Sequence, residues 1–173
     1  MKRLVALIAA LALAAPATAQ TKCLTEGDAE AMALVALPDI LRETGRVCAA
    51  QLPPSSLIRQ PEGAMIGRYQ AEADRAWPAA RGAIVKLSDP MVEILLQSEY
   101  ARPLIVTTIV PLIVGRIAVQ DCGTIDRLVT LLDPLPPRNT AGIVVATLRY
   151  LKTQKARGKN VAVPDLPLCT DGR

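Results

Sequence analysis

The residues of this chain able to do covalent or acid–base chemistry are few, and their spacing narrows them further. None of the 173 residues is a histidine. Neither a Ser-His-Asp nor a Cys-His catalytic unit can therefore be built, and histidine-ligated zinc, copper, non-haem iron and haem are excluded with it. Four cysteines remain: Cys23, Cys48, Cys122 and Cys169. Their spacings of 25, 74 and 47 positions, with no C-x-x-C pair, do not suit a zinc site. An even number of cysteines in an exported chain reads instead as two disulfides. Of the three possible pairings, Cys23 with Cys48 and Cys122 with Cys169 is expected, because each pair then brackets a local unit.

Other chemistry is equally sparse. No S-x-x-K appears, which removes the penicillin-recognising serine hydrolases. No G-x-G-x-x-G or P-loop offers a nucleotide cradle, so neither cofactor nor metal is expected. Glycosidase-like hydrolysis needs only two carboxylates, and the chain has 16 acidic residues. Sugar sites lean on aromatic platforms, however, and there is no phenylalanine, one tryptophan and three tyrosines. One segment combines cations with aromatics: Arg68, Tyr69, Arg75, Trp77 and Arg81 fall within four helical turns and could hold an anionic or flat ligand. The plainer reading packs Tyr69 and Trp77 into the core and leaves the arginines flanking it.

The first nineteen residues set the compartment. Lys2 and Arg3 precede an uninterrupted apolar run from Leu4 to Ala15, and Ala17-Thr18-Ala19 supplies the small-x-small pattern of a signal-peptidase site. A run of 12 residues is shorter than the roughly 20 a membrane-spanning helix requires. Residues 1–19 are thus expected to be a cleaved export signal and 20–173 a single periplasmic or secreted domain, with no membrane span in the mature chain. Lys22, just before Cys23, has no place in a lipidation signal, which leaves Cys23 for a disulfide. Losing Lys2 and Arg3 reduces the formal charge from +4 to +2, too balanced for a nucleic-acid partner.

Helical periodicity dominates the rest. Thr25 is a good N-cap with Glu26, Asp28 and Glu30 behind it, and Ala29, Met32, Ala33, Ala36, Leu37 and Ile40 form one apolar stripe. Pro38 is expected to kink or briefly break this helix and Gly45 to end it. Residues 49–61 read as a connection with one short helical turn. Met65, Tyr69, Ala73, Ala76, Ala80, Ile84 and Leu87 then predict a helix over 61–87, with Arg68 and Glu72 paired at i,i+4 and a kink at Trp77-Pro78. Ser88-Asp89-Pro90 restarts a helix through Ala101, and Arg102-Pro103 then bends or breaks the chain. Pro103 to Gly115 carries no charge. It reads as a central buried helix, with a buried strand or a membrane-contacting segment as alternatives. Asp121 is expected to cap a fifth helix to Leu132, and Asn139 a sixth with Ala141, Val144, Val145, Leu148 and Leu151 inward. Arg149, Lys152, Lys155, Arg157 and Lys159 suit the C-terminal pole of that helix, or else a docking patch for anionic lipid or an acidic partner. The tail from Gly158 reads as extended.

Together these point to an all-α bundle of about five to seven kinked helices with two disulfides and an extended C-terminal tail. The function expected is non-enzymatic binding of a protein or envelope partner. A binder of an apolar small molecule or lipid comes second, using a cavity left by small side chains and kinking prolines. A carboxylate-dependent hydrolase comes third.

Overall fold

Thr25 begins the fold as its sequence predicts. Its hydroxyl accepts from the Asp28 amide while the Asp28 carboxylate accepts from the Thr25 amide, a reciprocal cap that starts α1 (Glu26–Val47). The computed structural model describes residues 22–170; the expected export signal lies outside them. After α1 come a 3-10 turn at Leu57–Arg59, α2 (Ala64–Leu87), α3 (Pro90–Leu96) and α4 (Ala101–Val114). A second 3-10 turn at Val119–Asp121, α5 (Cys122–Leu132) and α6 (Pro137–Ala156) complete the described helices, and the tail runs extended from Gly158. The protein is all-α with bundle-like packing.

The central helix is α1, which packs against α2, α4 and α6. One apolar cluster joins Cys48, Leu52, Ile58, Met65, Ile66, Tyr69, Cys122 and Val129. A second, built on Ala31, Val35 and Ala80, uses small side chains to bring α1 and α2 close. Met65, Tyr69, Ala73 and Ala80 of the predicted α2 stripe are all buried.

Several expectations give way to tertiary structure. Pro38 is buried inside α1 without breaking it, and Gly45 is buried in its last turn rather than ending it. A side chain at Gly45 would stand 1.8 Å from the Ile58 carbonyl oxygen, so glycine is there to admit the 3-10 turn. α3 stops at Leu96, short of the expected Ala101, and Arg102-Pro103 lies in the first turn of α4, where amides have no helical partner to lose. α6 begins at Pro137, with proline at its first position, so Asn139 lies inside its first turn and caps nothing. Arg68 and Glu72 do not pair: Arg68 reaches Asp133, and Glu72 takes Arg75 and Arg138.

The disulfides correct the expected pairing. Cys23 is bonded to Cys169 and Cys48 to Cys122. The continuity of α1 is the reason. Its 22 residues hold Cys23 and Cys48 at opposite ends of a rod about 33 Å long, far beyond disulfide reach. Cys48 finds Cys122 in the core instead, and Cys23 meets the tail. There the Leu24 amide donates to the Pro167 carbonyl at 2.7 Å and the Cys169 amide to the Leu24 carbonyl at 2.8 Å. Lys152 adds a hydrogen bond to the Leu166 carbonyl.

Candidate functional site

The five residues singled out on α2 do not face one volume. Arg68 and Arg75, seven apart, share one side of the helix, and Trp77 and Arg81, four apart, share the opposite side. Tyr69 is buried, its hydroxyl donating to the Thr140 hydroxyl at 2.9 Å. Arg68 donates to the Asp133 carbonyl at 2.8 Å and also to its carboxylate. Arg75 donates to Glu72 at 2.6 Å. Trp77 packs half-buried on the Ala31–Val35–Ala80 cluster, and Arg81 is exposed.

Among the described residues, three carboxylates are perturbed, all downward. At Asp28, partial burial pushes the carboxyl up, but hydrogen bonds from Lys86 and Thr25 outweigh it and hold the group below the usual range. Glu72 is likewise raised by burial and lowered further by Arg138 and Arg75. At Asp74 the Arg102 hydrogen bond dominates over burial and lowers it. Carboxylates held ionised by cations are ion-pair anchors, whereas a general acid near neutral pH needs the opposite shift.

The part of the surface that departs most from a solvated exterior is the α3–α4 arm. Leu96, Ala101, Val110 and Val114 are buried. Met91, Ile94, Leu95, Tyr100, Leu104 and Leu112 are nevertheless 66–73% exposed. On α4, Leu104, Thr108, Pro111 and Leu112 fall at i, i+4, i+7 and i+8 and are all exposed. A helix at the rim of a soluble bundle ordinarily turns polar residues outward; α4 has none charged between Arg102 and Arg116. The uncharged run is therefore a helix, as expected, but peripheral rather than central. The polar atoms it does carry are spent internally. The Thr107 hydroxyl donates to the Pro103 carbonyl at 2.9 Å and the Thr108 hydroxyl to the Leu104 carbonyl at 2.8 Å.

The arm is pinned at its base. Arg102 bonds Asp74 of α2 at 2.6 Å, drawing that cation inward. Lys22 donates to the Ser88 carbonyl at 3.0 Å, immediately before the turn that opens α3. Lys86 reaches Asp28 at 2.8 Å, tying the end of α2 to the start of α1. No single described helix is long and apolar enough to cross a membrane. Ala101–Val114 and Val119–Leu132 pass that test only together, bent by 90°. The arm was hidden from sequence reasoning because a run apolar on every side fits the middle of a bundle as well as its edge. Its signal, thirteen uncharged residues between two arginines, was in plain sight.

No family model, curated protein sequence or solved structure matches this chain.

Proposed function

We propose that this is an exported, non-enzymatic binding protein that docks on an envelope component through the α3–α4 arm. The carrying observation is the set of six large apolar side chains on the arm, each about two-thirds or more exposed beside a well-buried core. Contiguous exposed apolar surface on a soluble domain marks an interaction site. The lack of histidine and the downward shift of the perturbed carboxylates support binding over catalysis. The two disulfides suit an oxidising compartment, where an export signal would deliver the chain.

A photo-crosslinking amino acid placed at Leu104 tests this in the producing cell, with exposed Ala79 on α2 as the control position. The expected result is a discrete adduct from position 104 that position 79 does not give. Equal labelling from both positions, or none, overturns the reading.

A further inference from the structure

The reading of the arm as a docking face can be taken further, to what it docks on. We infer that its occupant is the surface of a lipid bilayer, into which α3 and α4 dip their outward side chains while lying along the interface.

Length decides the orientation. The 14 residues of α4 span about 21 Å, short of the roughly 30 Å hydrocarbon core, so the helix lies in the interface rather than across it. Polarity supports the same occupant. Hydrocarbon is hostile to unpaired donors, and both threonine hydroxyls are already bonded back to α4 carbonyls. The uncharged run ends at Arg116 on one side and is preceded by exposed Tyr100 on the other, residue types that sit well at a headgroup boundary.

Area argues against a second copy of the chain. A fully exposed side chain of this size offers on the order of 60–120 Å² of apolar surface, so the exposed large apolar residues of the arm, Ile109 and Ile113 included, present roughly 300–600 Å². A stable dimer buries about 800 Å² per partner. Shallow insertion needs no such complementary area, because each side chain transfers into lipid on its own.

Charges around the arm are mixed, with Asp89, Glu93 and Glu99 against Lys22, Lys86 and Arg116, so attraction to anionic headgroups is not what drives the contact.

The test is flotation of the chain, purified from the exported fraction, with two kinds of vesicle: pure phosphatidylcholine, and phosphatidylethanolamine with phosphatidylglycerol. The expected result is co-flotation with both, little changed by high salt, and a loss on the order of tenfold or more in Leu104→Asp/Leu112→Asp. Both sites are exposed, so that variant should keep the parent's circular dichroism and melting point. Three results overturn the proposal. The first is no flotation with either vesicle. The second is binding only to anionic vesicles, abolished by salt and untouched by the double variant, which would assign it to the cationic end of α6. The third is a concentration-dependent dimer that the double variant dissolves. A protein adduct from position 104 without vesicle binding would remove the lipid while leaving the docking role intact; absence of both would remove the docking role as well.

Discussion

Removing the outer bridge with Cys23→Ser/Cys169→Ser should lower stability by an amount the connectivity fixes. Taken alone, a cross-link separated by 146 positions restrains the unfolded chain by about 5 kcal/mol in the loop-entropy model. The inner bridge shortens that loop. With Cys48–Cys122 intact, the covalent path runs 25 positions from Cys23 to Cys48 and returns 47 from Cys122 to Cys169. A closed path of about 72 residues corresponds to roughly 4 kcal/mol. For a domain of this size each kcal/mol moves the melting temperature by about 2–4 °C, so the double variant should melt about 8–16 °C lower. Calorimetry of the oxidised proteins reads this, and mass-spectrometric thiol labelling of the single variant Cys23→Ser reads the connectivity. The single variant should expose Cys169 and leave Cys48 unlabelled. A melting point within 2 °C of the parent, or labelling of Cys48, would refute the reasoning. The same double variant should be cut faster beyond Gly158, since the tail is then held without a covalent tie, by contacts such as the hydrogen bonds at Leu166, Pro167 and Leu24 and the Lys152–Asp165 ion pair.

Two further outcomes follow from the packing and the ion pairs. Gly45→Ala should destabilise by about 3 kcal/mol, because its new methyl would collide with the Ile58 backbone; by helix propensity alone it would stabilise by about 1 kcal/mol, so the sign in urea denaturation decides. Asp28, Glu72 and Asp74 titrate lower folded than unfolded. Their contribution is therefore complete above about pH 5 and lost as pH falls through and below 4. Urea midpoints should drop between pH 6 and pH 3, less steeply in Lys86→Gln, and a flat profile would refute the role assigned to these pairs.

Local signals carried most of the fold. The Thr25 cap, the α2 stripe from Met65 to Leu87, and the proline opening α3 each rest on neighbours within one turn, and each stands in the structure. What escaped was set by contacts distant in sequence. Gly45 resembles a helix stop until Ile58 is seen against it. Arg68 suits Glu72 until Asp133 arrives from the end of α5. Pairing neighbouring cysteines ignored the rigidity of the helix between them. The α3–α4 arm is the sharpest case. Composition marked Pro103–Gly115 as unusual, but whether such a helix faces protein or surroundings depends on which helix takes the centre. Here α1 does, flanked by α2, α4 and α6.

The nested arrangement of the two disulfides bears on how the polypeptide is assembled. Synthesis proceeds from the amino end, so Cys23, Cys48 and Cys122 are all available before Cys169 has been made. Oxidation that merely joined successive cysteines would trap Cys23 on Cys48, and thiol exchange would have to undo it. Cys23 therefore has to wait for the last of the four. A copy truncated between Cys122 and Cys169 keeps an odd, reactive sulfur near its start, a chemical mark by which such an unfinished molecule differs from a finished one.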